Sequence, residues 1–426
     1  MPALACLALA FACRPAVLAR SHTPRLDLWM FAAVGAASFQ LIPLPRAVLR
    51  LIAPASEAVA RARLLVDPGG ALPLSIDPYR SAKAILLLAA IFLLFVTART
   101  IFDAGAVRTT TRLIAVTGLV LSSVALAQDA TAHGLMYWRW MPLDEGPAPF
   151  GPFVNRNHFA TWAMMAVPLS VGYLTAHASA HQGPAPLAAW RRKLIAAIDA
   201  RASLLLASAT LLIVAIAASL SRSGLVGLVA ALACGGLLAG RRESASPAHS
   251  RARAFVLALA LVAVVAVLTQ VGPAAITARF GASRVAVADR LTIWHDTLPV
   301  LRDFWLTGTG VGTFLTSMGV YQRSSPGIIF NQAHNHYLQV AAEGGLLVGL
   351  PVLLAILAFV RAAWRSLQDD HSGMYWVRAG AVSGLCGVAV QSLWETGLTV
   401  PANAAMAAVL AAIAIHAPMR PAPDTR

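Results

Sequence analysis

Long uninterrupted blocks of apolar residues constrain this chain more than any other feature. They lie at roughly 3–19, 27–43, 82–98, 112–128, 157–177, 203–219, 223–239, 253–270, 338–360, 377–395 and 401–416. A helix needs about 20 mostly apolar residues to cross the roughly 30 Å hydrocarbon core of a bilayer. Barrel strands would be about 10 residues long with alternating polarity. The blocks therefore predict an all-α polytopic transmembrane helix bundle of about eleven spans.

The distribution of charge favours a membrane protein over one that binds nucleic acid. Of the 426 residues, 58% are hydrophobic and 12% are charged, although the formal net charge is +15. Lys and Arg concentrate in alternate short loops, as the positive-inside rule requires of cytoplasmic loops. If these loops lie inside, four segments face outward: 44–81, 129–156, the 221–223 turn and 271–337. We predict one integral-membrane domain over 1–426, with no nucleic-acid partner.

The outward segment 271–337 is the largest soluble piece of the chain. Within it, 290–298 carries apolar residues at helical spacing, which predicts a short amphipathic helix lying along the membrane surface. The run Gly308-Thr-Gly310-Val-Gly312 follows. Because no strand precedes this run and no GK[ST] follows it, we interpret it as a turn rather than a phosphate-binding loop.

The stretch QAHNHYL at 332–338 runs from this polar segment directly into an apolar block. Proton-handling side chains are costly to place at a membrane, so they mark a candidate functional site. His334 and His336 could include a general base, could form structural hydrogen bonds at a helix start, or could bind a metal. Glu343 would lie on the opposite face of a continuous helix from His334, which disfavours the metal site.

Arginines on the outward side are candidates for binding an anion. Arg222 lies in a tight turn between two apolar blocks, Arg290 begins the amphipathic segment, and Arg156 lies where another block begins. A guanidinium is a planar fork suited to bidentate contact with phosphate, although it can also extend to lipid headgroups. With His334, these arginines are predicted near one membrane face, as a cationic pocket that holds a diphosphate beside a base.

With these motifs the sequence resembles the O-antigen ligase and polymerase superfamily of bacterial membrane glycosyltransferases. The stretch AHNHYLQVAAEGGLLVGL looks like the HNxxL…E.G..G signature that follows the family's large periplasmic loop. Further similarity lies in QLIPLP (40–45), FVNRNHFATW (153–162), SRSGLVGL (221–228), RLTIWHDTLPVLRDFWLTGTGVGTF (290–314) and WETGLTVPANAAMAAVLAAI (394–413). The resemblance implies a GT-C-like bundle of about twelve spans. It also implies a ligase-like core at about 203–360 with 271–337 as its periplasmic loop.

The resemblance implies transfer of a glycan from undecaprenyl diphosphate to an acceptor hydroxyl in the periplasm. The transfer would proceed with inversion and without a metal or other cofactor. His334 matches the family histidine proposed to activate the acceptor, and Arg222 and Arg290 match arginines proposed to bind the lipid diphosphate. Arg156 is a weaker match. His336 matches no clear family role, and we assign it to support substrate binding. The expected partners are the bilayer, the lipid-linked donor, and lipid A–core or a growing polysaccharide as acceptor.

Several alternatives stay open at this point. An O-antigen ligase in the bacterial inner membrane is the first choice. A repeat-unit polymerase and a protein O-oligosaccharyltransferase would share the donor site and differ in the acceptor pocket. A lipid-linked glycan flippase, from another class, would be expected to show internal repeats and charges within spans, and neither is evident in the sequence. Glu343 is expected either to orient the site or to cap a helix.

Overall fold

The computed structural model describes residues 2–63, 70–141, 149–180, 199–242, 290–325 and 327–417. The helices of this part of the chain are α1 (Pro2–Cys13), α2 (Pro24–Phe39), α3 (Arg46–Ile52), α4 (Pro54–Arg63), α5 (Pro78–Asp103), α6 (Val107–Thr131), α7 (Arg156–Ala180), α8 (Ala200–Ala218), α9 (Arg222–Arg241), α10 (described over 290–303), α11 (Phe314–Tyr321), α12 (His336–Asp369), α13 (Met374–Gln391) and α14 (Pro401–Ile415). Within these ranges, extended backbone pairs only as isolated bridges such as Leu44 with Leu72. The predicted all-α class is confirmed.

Six of these helices are long and apolar enough to cross a membrane, namely α5, α6, α7, α8, α9 and α12. Each coincides with a predicted apolar block, which confirms a multi-pass membrane protein. The blocks at 3–19, 27–43 and 401–416 form helices of 12, 16 and 15 residues, short of the roughly 20 that an upright crossing needs. The block at 253–270 lies outside the described residues.

The prediction that an apolar block runs through 377–395 was wrong at its C-terminal end. Helix α13 ends at Gln391, and the next residues leave the helix. Glu395 follows this end of the helix, and because its side chain is fully buried its carboxylate needs polar partners. A buried charge without such partners would be strongly destabilising.

The helices pack into two compact units, and each unit draws on separate stretches of the chain. The first comprises Met1–Thr97, Pro273–Arg361 and Ser392–Thr396, and the second Ala98–Gly272, Ala362–Gln391 and Gly397–Arg426. In the second unit, small residues let helix backbones approach closely, as in other membrane bundles. A Cβ on Gly172 would lie 2.2 Å from the carbonyl oxygen of Trp376, and one on Gly387 would lie 2.6 Å from that of Gly227.

In the first unit, helix α12 is broken at Gly345. Its φ of 54° and ψ of −157° belong to a region that essentially only glycine occupies. The break removes helical acceptors from the next two amides. Leu346 N–H donates instead to the carbonyl of Trp305 at 2.8 Å, and Leu347 N–H to that of Leu306 at 2.9 Å.

The carbonyls that the break leaves without helical donors are satisfied by the glycine turn at 308–312. Thr309 N–H donates to Ala342 at 3.0 Å, and Gly310 N–H donates to Glu343 at 2.9 Å. Gly308, Gly310 and Gly312 have φ of 67°, 110° and 80°. The predicted turn is therefore confirmed. Its amides supply the hydrogen-bond donors that helix α12 lacks at the break.

Gln40, at the end of α2, fastens the same turn from the other side. Its fully buried side chain donates from Nε2 to the carbonyls of Thr307 at 2.8 Å and Glu343 at 3.0 Å. Its Oε1 accepts the Val311 N–H at 3.0 Å. The first residue of the QLIPLP motif thus has a structural role.

Replacing Gly308 by Ala should destabilise the protein. The left-handed backbone alone costs on the order of 1–3 kcal/mol for a residue with a side chain, and the new Cβ would lie 2.2 Å from the Glu343 carbonyl oxygen. The expected result is a clearly lower melting temperature in detergent. Gly319→Ala is the control, because nothing lies within 4 Å of its Cβ position. Equal melting temperatures for the two variants would contradict this role of the turn.

Candidate functional site

His334 is held in a backbone conformation that few residues with side chains adopt. Its φ is 47°, in the left-handed region. The buried residue before it, Ala333, is fixed on both sides: its N–H donates to Gln339 Oε1 at 3.1 Å, and its carbonyl accepts from Trp294 Nε1 at 2.9 Å. Strain of this kind persists only where neighbouring contacts impose it, and it clusters at functional sites.

Helix α12 begins immediately after this strained residue because Asn335 is its N-cap. Asn335 Oδ1 accepts the Leu338 N–H at 3.0 Å, as N-cap side chains do. His336 N–H donates to the Ser392 carbonyl at 2.8 Å. The Nδ1 atom of His336 is enclosed and has no hydrogen-bond partner among the described residues. The two histidines therefore have different surroundings.

A buried carboxylate, Glu395, lies beside the ring of His334. His334 Nδ1 and Glu395 Oε1 are 3.2 Å apart, and the side chains are 28% and 0% exposed. The Thr396 N–H also donates to this oxygen at 3.1 Å. Since an ionised carboxylate only accepts hydrogen bonds, the network assigns the proton of a neutral imidazole to Nδ1. Nε2 is then the nitrogen that can accept a proton.

Arg290 shares the same carboxylate. Its Nη2 lies 4.0 Å from Glu395 Oε2, and its side chain is 26% exposed. Glu395 thus joins a basic residue at the described start of α10 to the histidine before α12. A buried negative charge with two such partners is compensated, while both partners keep part of their surface open to a ligand.

Asp296 anchors α10 in the position that presents Arg290. Its Oδ2 accepts from the Ser324 hydroxyl, from the Ser324 N–H at 3.0 Å and from the Arg323 N–H at 3.1 Å. Burial by itself would raise the pKa of Asp296, but these hydrogen bonds outweigh burial and hold the pKa below its ordinary value. The carboxylate therefore stays ionised and ties the helix to the segment that follows α11.

Arg222 and Arg156 lie in the second unit, each as the first residue of a helix. Ser221 caps α9, because its Oγ accepts the Gly224 N–H at 3.2 Å, and it donates to Asn157 Oδ1 at 2.7 Å. The starts of α7 and α9 therefore lie together, and helix N-termini favour anions. The structure brings together the helix starts that carry Arg156 and Arg222 and, separately, places Arg290 and His334 on one carboxylate. The convergence of all four on one pocket stays a prediction.

Glu343 acts as a cap. Its Oε2 accepts the Gly312 N–H at 2.8 Å, and its Oε1 accepts the Phe314 N–H, at the start of α11, at 3.0 Å. Gln339 Nε2 donates to Oε1 at 3.3 Å, and the oxygen of the same Gln339 amide accepts the N–H of Ala333. Glu343 is thus two hydrogen bonds away from the backbone beside His334 and supports the site without facing it.

Sequence reasoning missed Glu395 as a site residue. The string WETGLTVP contains it, but the surrounding residues were assigned to an apolar block. The available signal was an acidic residue at the end of a predicted span, where charge is costly and therefore informative. Trp294 and Gln339 were missed too, because their contacts with Ala333 depend on tertiary structure.

Comparison with known proteins gives a match in the central part of the chain. Residues 207–353 match the family model described as O-antigen ligase. The match includes Arg222, Arg290, His334 and His336, and it falls within the predicted core at about 203–360. Arg156 and Glu395 lie outside it. No curated protein matches the chain at a significant level.

Replacing Glu343 by Gln should lower stability. An amide offers one acceptor oxygen, so one of the two backbone N–H groups bound by the carboxylate would face an NH₂ group instead. Leaving a buried donor unsatisfied costs about 1–3 kcal/mol. Thermal unfolding in detergent measures the loss. Asp129→Asn, the same change at an exposed position, should leave the melting temperature unchanged. An unchanged value for both variants would remove the capping role.

Proposed function

We propose that this chain, whose residues 207–353 match the family model described as O-antigen ligase, transfers a glycan from undecaprenyl diphosphate to an acceptor hydroxyl. The family and the six apolar helices make it a multi-pass membrane protein of the O-antigen ligase/polymerase type, with glycosyltransferase-like activity. The observation that carries the finer proposal is the contact of His334 Nδ1 with the buried Glu395 carboxylate at 3.2 Å.

In this proposal His334 is the general base. A sugar hydroxyl is a poor nucleophile, and a positioned base contributes about 10²–10⁴-fold to such a reaction. Glu395 keeps the proton of the neutral ring on Nδ1, so that Nε2 accepts the hydroxyl proton. The same carboxylate then stabilises the imidazolium that forms. Glu395 therefore serves as the positioning residue for His334.

The bond changes follow a single displacement. The acceptor oxygen attacks the anomeric carbon of the donor sugar, the bond from that carbon to the diphosphate oxygen breaks, and the hydroxyl proton moves to His334. A single displacement inverts the anomeric centre. The leaving diphosphate carries the electron pair, and Arg290, Arg222 and Arg156 would stabilise its charge. We assign His336 to substrate support, and the scheme uses no metal or other cofactor.

We place the proposed reaction on the periplasmic face of the bacterial inner membrane, because the positive-inside rule puts the 221–223 turn and segment 271–337 outward. The match to the model described as O-antigen ligase favours lipid A–core as the acceptor. A polymerase would use the same donor chemistry on a growing polysaccharide. The two functions therefore differ in their acceptor, which the surface glycans of cells without the gene identify.

Replacing His334 by Ala should abolish transfer while membrane insertion is kept, because the hydroxyl loses its base. Glu395→Gln should lower the rate roughly 10- to 100-fold and alter the pH–rate profile, because an amide can hold the wrong tautomer. The measurement is transfer by purified protein from the lipid-linked donor. His133→Ala, an exposed histidine, is the control. Near-normal transfer by His334→Ala would remove it as the base, and an unaltered pH profile for Glu395→Gln would remove its positioning role.

Deleting the gene should leave long glycan chains on their lipid carrier and unattached to lipid A–core. Gel analysis of surface and lipid-linked glycans shows this directly. A product of core plus a single repeat unit would instead identify a polymerase. Lipid-linked single units retained on the cytoplasmic side would identify a flippase and overturn the proposed transfer reaction.

A further inference from the structure

Helix α10 has a buried inner face and an exposed apolar outer face. Ile293, Val300 and Phe304 are 5%, 0% and 2% exposed and belong to the core of the first unit. Leu291 and Leu298 are 53% and 55% exposed. Trp305, in the turn after the helix, is 62% exposed. We refer to Leu291, Leu298 and Trp305 as the outer stripe.

The spacing of the outer stripe makes it continuous. Residues seven apart on a helix drift by only about 20°, and at 1.5 Å per residue Leu291 and Leu298 lie about 10 Å apart along the axis. His295 and Arg302, whose side chains are 84% and 81% exposed, border one side of it. The stripe is thus an apolar track beside a polar ridge.

The other border of the outer stripe is the candidate site. Arg290 precedes Leu291 and is about 100° around the helix from it, on the flank that also carries Trp294. Trp294 donates to the carbonyl beside His334 at 2.9 Å, and Arg290 lies 4.0 Å from Glu395. Around α10 the order is therefore buried core, site, apolar stripe and polar ridge.

This order matches the chemistry of an amphiphile with an anionic head and a long apolar chain. The described part of α10 carries four charged residues, Arg290, Asp296, Arg302 and Asp303, and charges are costly to place within a membrane-crossing segment. We propose that the outer stripe binds the polyprenyl chain of the donor while Arg290 contacts its diphosphate. This inference rests on the proposed function and adds a subsite for the lipid.

The test compares two donors that share one diphosphate-linked glycan and differ in lipid length: the undecaprenyl form and a short, water-soluble isoprenyl form. The variant is Leu291→Ser/Leu298→Ser, assayed as purified protein in detergent. We expect kcat/KM to fall about 10-fold or more with the long donor. It should stay within about 2-fold with the short donor, which cannot extend along the stripe. Leu51→Ser is the matched control, because Leu51 is 83% exposed in the same unit.

Loss of activity in equal proportion on both donors, or no loss on either, overturns the proposal. If the double variant lowers transfer from both donors alike after reconstitution into lipid vesicles but not in detergent, the stripe is a bilayer contact and the proposal is wrong.

A second measurement uses the unmodified protein and so does not depend on the folding of a variant. Glycan-free undecaprenyl diphosphate that carries a photoreactive group in its chain should label peptides containing residues 291–305. Absence of labelling there overturns the proposal. Labelling by this probe together with no transfer from either donor would mean that the proposed function fails while the binding of the lipid chain stands.

Discussion

The exchange of hydrogen bonds at Gly345 is the constraint on which the first unit depends. A continuous helix would satisfy Ala342 and Glu343 by the amides of Leu346 and Leu347. Here these two carbonyls and two amides bond instead to residues 305–310, so each of the four keeps a backbone partner. The exchange joins the segment after α10 to α12 by hydrogen bonds, and it thereby fixes the described part of α10 relative to the start of α12. Arg290 and His334 can meet one carboxylate because of this exchange.

A chain of side-chain hydrogen bonds carries this constraint to the histidine. Glu343 accepts hydrogen bonds from the Gly312 N–H of the glycine turn and from Gln339 Nε2. Gln339 Oε1 in turn accepts the N–H of Ala333. A left-handed histidine costs on the order of 1–3 kcal/mol. The two hydrogen bonds on Ala333, each worth about 0.5–1.5 kcal/mol net, offset a cost of that size. In this backbone conformation the ring of His334 lies with its Nδ1 3.2 Å from Glu395 Oε1.

The sequence was sufficient for features that depend on local composition. Block length predicted the helices, the three turn glycines predicted the turn, and the polar stretch before α12 drew attention to His334. The sequence was insufficient for features that depend on contacts between distant parts of the chain. An isolated glycine costs a helix only about 1 kcal/mol relative to alanine, so EGGLL reads as continuous helix unless the inserted turn is known. Glu395 lies 61 residues from His334 in the chain, and no periodicity links the two.

The candidate basic residues share one physical setting, which is the beginning of a helix. Arg156 and Arg222 are the first residues of α7 and α9, and His334 lies just ahead of the Asn335 cap of α12. The first amides of a helix have no acceptors within it and carry partial positive charge. A guanidinium placed there adds to a field that already favours anions. Apolar spans thus supply helix starts at the ends of the crossings, and the polar motifs between the blocks supply the charges that make those starts suited to an anion.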